Sequence, residues 1–164
     1  MSAATGIDGA AGFADVMAEL AAGVSLVTTR DGDRPVGLLV TSMVAYTADP
    51  PSVLLSVAHS SRTHPPLCAG GRFGIHLLGA GQEALARVFA SKSTDKFGAV
   101  AWSWDGEVPR VEGALAYLRC ETDAAFDHRD HTILVGRVEA VERALGVEPL
   151  LYWRREMTWR IGPR

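Results

Sequence analysis

The feature that most constrains this chain is a succession of short, apolar, β-branched runs separated by turn residues rather than by helices. Residues 24–29 (VSLVTT) lead into Arg30-Asp31-Gly32-Asp33, a hairpin turn, and then into a second run over residues 36–45. Asp49-Pro50-Pro51 breaks the pattern and sets an extended approach to a continuous apolar strand over residues 53–57. Residues 73–78 read as a fourth strand. Residues 114–122 and 132–142 read as two long strands joined by a polar loop over 123–131, and 149–153 with 157–161 as a closing hairpin. Within 132–142, Gly136, Val138 and Ala140 alternate with Arg137, Glu139 and Val141, the period of a strand with one buried face.

Helical periodicity is confined to short segments. Phe13, Val16, Met17 and Leu20 form a stripe that predicts a helix over residues 13–22, stopped by Gly23. A short helix is expected over 63–69 and another over 82–89, with Leu85, Val88 and Phe89 on one face. Residues 91–112 show little period and read as a long loop carrying Trp102 and Trp104. Strict strand–helix alternation and a G-x-G-x-x-G are both missing, which disfavours a Rossmann fold. Six or seven hairpin-connected strands are better closed on themselves than left as a sheet with two bare edges. The expectation is a mainly β chain with short helices, forming an antiparallel six- or seven-stranded barrel. One domain would span 13–164, behind a disordered tail over 1–12.

Composition removes several classes of function. A chain of 164 residues supports one core. Its formal charge of −3 argues against nucleic-acid binding, which demands a basic face. The uncharged stretches are too short and too rich in Gly, Ser, Thr and Pro to span a membrane, and residues 1–10 carry neither the basic nor the apolar region of a signal peptide. Cys68 and Cys120 lie far apart and outside any C-x-x-C, so neither a disulfide framework nor a zinc motif is readable, and a cytoplasmic location is expected. Of the 16 basic residues only Lys92 and Lys96 are lysines, which reads as a coding bias.

Three polar constellations stand out. Small and hydroxyl residues around Gly37 to Ser42 would let a flat ligand approach the backbone, or face solvent on an ordinary strand. Ser60-Ser61-Arg62-Thr63 would hold a phosphate, or form a solvated loop with Thr63 as an N-cap. Asp127-His128-Arg129-Asp130-His131 invites a metal, but three or four ligands are needed and His59, His64 and His76 lie scattered, so no metal is expected. A charged hairpin loop, or one histidine turned inward at a site mouth, are the other two readings. Cys68 reads as a packed small apolar residue, and no G-x-S-x-G supports hydrolysis.

Taken in order, these pieces resemble the flavin reductase-like family of FMN-binding split β-barrels, the reductase partners of two-component flavin monooxygenases. Ala22 to Thr29 is similar to the family's TGV-x-VVTT opening, and Gly37 to Pro51 to its G-x-T-x-S-S-F-x-x-x-S-x-x-PP flavin strand. Gly71 to Leu78 with Gln82, Leu85 and Phe89 follows G-x-F-x-V-N-x-L…Q…LA…FA. Lys96-Phe97 follows the D-[KR]-F step, Gly113 to Cys120 the G-A-L-A-x-x-x-C strand, Asp130-His131 the GDH turn, and Pro149 to Tyr152 the PLL-[FY] segment.

The resemblance implies a homodimer that binds FMN or FAD non-covalently, transfers a hydride from NADH or NADPH to flavin N5, and supplies reduced flavin to a monooxygenase partner. By position, Pro35, Val36, Gly37, Leu38, Leu39, Thr41 and Ser42 would line the ring and ribityl chain. Ser56, Val57 and Ala58 would give backbone contacts, Arg62 and Thr63 would meet the phosphate, and Val88 and Phe89 would close the flavin side. His131, the catalytic candidate, and Glu148, Pro149, Leu150 and Leu151 would flank the nicotinamide pocket. Hydride transfer needs two flat rings positioned rather than a strong general acid, so the lack of a catalytic triad is consistent. The chain departs from the family at Leu39, Met43 and His76, the last standing where Asn is usual, and lacks the glycine before Asp130-His131. A flavin- or haem-binding barrel without nicotinamide turnover, and an interaction subunit with a degenerate pocket, are the competing readings. The Trp102–Trp104 region is a candidate subunit contact.

Overall fold

The structure is a computed structural model describing residues 9–161. Its central element is a seven-stranded antiparallel sheet built from β2 (Ser25–Asp31), β3 (Arg34–Val40), β4 (Val44–Ala48), β5 (Pro51–Ala58), β6 (Arg72–Leu77), β9 (Ala116–His128) and β10 (His131–Arg143). The strand order is β3-β2-β6-β9-β10-β5-β4.

The run over 36–45, expected as one strand, is two. β3 pairs with β2 at one edge of the sheet, and β4 pairs with β5 at the other. Only Thr41, Ser42 and Met43 connect them, so these three residues draw the two edges together and roll the sheet into a barrel. Closure hides edges that would otherwise expose unpaired backbone groups. Ser42 stitches the seam: its hydroxyl donates to the Ser56 carbonyl at 3.0 Å and accepts from the Ser56 N–H at 3.3 Å.

The barrel interior holds Val27, Val40, Leu55, Val57, Phe73, Ile75 and Leu134, each buried. A second apolar cluster outside it contains Leu26, Leu78, Phe89 and Leu150, formed where α3 (Glu83–Ala90) packs over β3. Strand alternation sends neighbouring residues of β2 to these two clusters, Val27 to one and Leu26 to the other.

Three other expectations change. Residues 91–112 contain a hairpin, β7 (Trp102–Asp105) with β8 (Val108–Val111), whose alternation is masked by Pro109 and the two tryptophans. The polar stretch 123–131 is strand, not loop: β9 and β10 run on to a two-residue turn at Arg129-Asp130, where Arg129 adopts φ +55°. These residues extend beyond the core, so their polarity reflects solvent rather than a turn. The first helix, α1 (Gly9–Ala18), begins inside the expected tail and ends before Ala22, which pairs with Tyr152 as part of β1 (Ala22–Gly23). The remaining tail, residues 1–8, lies outside the described residues. β1 joins β11 (Leu151–Trp153) and β12 (Glu156–Trp159) in a small sheet. The stripe of α1 is solvent-facing, with Phe13 57% and Val16 70% exposed. α2 (His64–Cys68) is a single turn. No described helix is long and apolar enough to cross a membrane.

Candidate active site

The expected flavin residues meet at the mouth of the barrel, where β3, the 41–43 connection, the end of β5 and the start of α2 adjoin. β4 pairs with β5 only as far as Leu54, so Ser56 to Ala58 run past its end. Antiparallel alternation turns the backbone groups of Ser56 and Ala58 to this open edge, while Val57 turns to β10. Ser56 is held by Ser42, and the Ala58 carbonyl accepts the Ser61 N–H at 3.0 Å. The Ala58 N–H is thereby left directed at the opening, a donor suited to a ring carbonyl or nitrogen. Thr41 and Ser42 are exposed, and Pro35, Val36, Leu38, Leu39, Ser56, Ala58 and Val88 are half-buried, as a ligand wall requires.

Arg62 is exposed and donates to the carbonyls of Lys92 and Ser93, both at 2.8 Å. It thereby pulls the segment after α3 against the 59–63 loop. Lys96 donates to the Phe89 carbonyl at 2.6 Å, and its pKa is lowered by partial burial and then by the nearby Arg62. Two cations held together repel, and an anion between them relieves that cost. The residues present therefore fit a phosphate-bearing cofactor. Sequence reasoning gave Lys96 no role, although its place in a family-like D-[KR]-F step and the scarcity of lysine both marked it.

Several of the expected contact residues also lie in the core. Val57 and Leu150 have no exposed surface, Phe89 is 2% exposed and Thr63 is 5% exposed. Thr63 also makes no side-chain cap bond. Gly37 is buried, and a methyl there would meet the Phe89 ring at 3.0 Å and the Val27 carbonyl at 3.0 Å. Its missing side chain makes room for α3. Periodicity places residues on a face, but does not say whether ligand or protein covers that face.

His131 is half-exposed on the neighbouring strand, where it pairs in register with Ala58, and its Nδ1 lies 2.9 Å from Asp130 Oδ1. Asp130 is held below the usual carboxylate range by that partner. The 148–151 segment sits elsewhere on the rim: the Glu148 carbonyl accepts from the Ala80 N–H at 2.7 Å, and Pro149 bridges to Gly79. Glu148 is exposed, while Pro149 and Leu151 are half-buried. His59 and His64, scattered in sequence, converge with Asp127.

The match to known proteins agrees with this geometry. Residues 17–159 match the model of the flavin reductase like domain. The chain belongs to that family. The reductase component of 4-hydroxyphenylacetate 3-monooxygenase from Thermus thermophilus is 36% identical over 143 residues, covering 87% of this chain and 91% of that protein. The NADH-dependent flavin reductase StyB of Pseudomonas fluorescens is 31% identical over 144 residues, covering 86% and 84%. Among solved structures, the NADH:FAD oxidoreductase SgcE6 of Streptomyces globisporus, in complex with NAD and FAD fragments, superposes with a TM-score of 0.90 at 30% identity, covering 99% of this chain and 98% of that one. The fold is therefore the split barrel of flavin reductases.

Proposed function

We infer that this protein is an NADH-dependent flavin reductase that supplies reduced flavin to a partner monooxygenase. The observation that carries the reading is the mouth of the barrel, where the open edge at Ala58 lies four residues from Arg62, which faces Lys96. A ring-binding edge beside a paired-cation phosphate site suits FMN, and equally the proximal phosphate of FAD.

When bound, the flavin supplies the hydride-accepting ring. The chain's own residues then act by position. Arg62 and Lys96 would hold the phosphate, and the Ala58 N–H would be a donor for the ring. Ser42 keeps the seam closed beneath it. His131, with its Nδ1 on Asp130, stands at the lip where nicotinamide would stack, and orients it without moving a proton. No triad is required because the two rings carry the electrons.

The chain's relatives that are reductase subunits support the monooxygenase partner. A homodimer is part of the same proposal. Phe13, Val16 and Met17 leave an apolar stripe on α1 bare, with exposed Leu20 just beyond its end, and a second copy would cover it.

Purified protein is expected to oxidise NADH only when FMN or FAD is added. Oxidation no faster than the free-flavin background overturns the reading. His131→Ala is expected to raise KM for NADH about threefold to tenfold, the loss of one positioning hydrogen bond, with flavin affinity kept. Lost flavin binding with unchanged nicotinamide use would contradict that assignment.

A further inference from the structure

Three side chains remote in sequence converge on one buried hydroxyl. His59 follows β5, His64 opens α2, and Asp127 stands near the end of β9. Thr132, wholly buried on β10, places its Oγ1 3.2 Å from His59 Nε2 and 2.7 Å from His64 Nε2, and donates to Asp127 Oδ1 at 2.5 Å. The two imidazole rings stand 4.7 Å apart, centroid to centroid. One nitrogen from each ring and one Asp127 oxygen lie within 4.8 Å of one another.

A threonine hydroxyl has one proton and two acceptor sites. With its proton given to Asp127, the hydroxyl can only accept from the two rings, which spends both ring N–H groups on a single oxygen. A cation offers these groups a better arrangement, because neutral imidazole can turn a lone pair to the centre by changing tautomer. We propose that His59, His64 and Asp127 form a binding site for a borderline divalent transition-metal ion of the zinc type, with Thr132 orienting the ligands from behind.

The donor set decides the class of ion. Two imidazole nitrogens and one carboxylate oxygen suit zinc, cobalt or nickel, whereas calcium and magnesium select oxygen cages. Zinc bonds of about 2.0–2.1 Å place tetrahedral ligands roughly 3.4 Å apart. The ligand atoms must therefore draw in, and the freedom to do so is present: the His59 side chain is 38% exposed and that of Asp127 is 79% exposed. His64, on α2, supplies the fixed ligand, and the solvent side leaves a position open for water. The ion would clip both ends of the 59–64 segment to the β9–β10 hairpin. The proposal stands on these donors alone and does not depend on the flavin assignment.

The test is titration of tag-free, chelator-treated, full-length protein with Zn²⁺ by calorimetry and with Co²⁺ by visible absorption. One ion per chain is expected, with the Co²⁺ bands of a nitrogen–oxygen site. His59→Ala and His64→Ala are each expected to weaken binding at least about tenfold. His128→Ala, an exposed histidine on β9 outside the cluster, is expected to leave binding unchanged. If His64→Ala fails to fold by circular dichroism, His59→Ala and Asp127→Asn carry the comparison at exposed positions. Absence of saturable binding, or binding retained in the folded ligand variants, overturns the site.

Discussion

Beneath the β7–β8 hairpin, the buried polar groups of His76 and Thr28 end on other protein groups. His76 Nδ1 donates to the Leu26 carbonyl at 3.2 Å, its Nε2 accepts the Val111 N–H at 2.9 Å, and the Thr28 hydroxyl donates to the Pro109 carbonyl at 2.5 Å. At the mouth the pattern reverses. Arg62 and Lys96 donate to neutral backbone carbonyls that leave their charges uncompensated, and Ala58 turns its N–H outward. Both regions are built from the same strands, since β5 and β6 lie in one sheet. The difference is what caps them: a protein hairpin covers one side, whereas the other is open to solvent. A satisfied buried network rigidifies, and an unsatisfied rim binds.

The sharpest way to break this comparison is through His76. Burial holds its pKa down at about 4, below the ordinary value of 6.5. The unfolded chain therefore takes up a proton that the folded chain refuses between those values. Stability is full above pH 6.5 and falls as the pH drops toward 4, by about 3 kcal/mol from this one group. Denaturant unfolding across that range checks it. His76→Asn, the residue more usual in the family, is expected to flatten that part of the profile. An unchanged slope would mean that the closed side is not sealed as described.

Arg62→Ala tests the open side. Removing a charge-assisted phosphate contact is expected to raise KM for flavin by about 10- to 100-fold, with kcat at saturating flavin largely kept. Arg62→Lys should recover part of the loss, since it restores the charge but not the planar guanidinium, whose Nη2 donates to the Lys92 and Ser93 carbonyls while its other nitrogens stay available. The smallest effect belongs to the seam. Ser42→Ala removes the two hydrogen bonds to Ser56 and is expected to weaken flavin binding about twofold to tenfold, read by fluorescence titration. If it unfolds the protein instead, Ser42 is part of the closed scaffold rather than of the rim.

Particular residues show how far local pattern reaches. The β2–β3 hairpin was legible because Gly32 sits in the turn with φ +61°, a conformation that glycine adopts freely, between two β-branched runs. α3 was legible from Leu85, Val88 and Phe89. The β7–β8 hairpin was not, because its tryptophans pack edge-on to one another and to Phe97 instead of alternating between core and solvent. Gly37 was placed on its strand, but its close approach to Phe89, fifty-two positions along the chain, was not legible.

The sequence by itself determined the strand content, the order of turns and the family, because alternation, turn chemistry and motif order are local properties of the chain. It also singled out Ser42, Ala58 and Arg62 as candidate contacts. Only the tertiary structure decided which of those residues face outward. It split one apolar run between the two edges of the sheet, tied Arg62 to the carbonyls of Lys92 and Ser93, and brought His59 and His64 to Asp127. Each of these depends on contacts between segments far apart in the chain, and such contacts are set by barrel closure rather than by any local pattern.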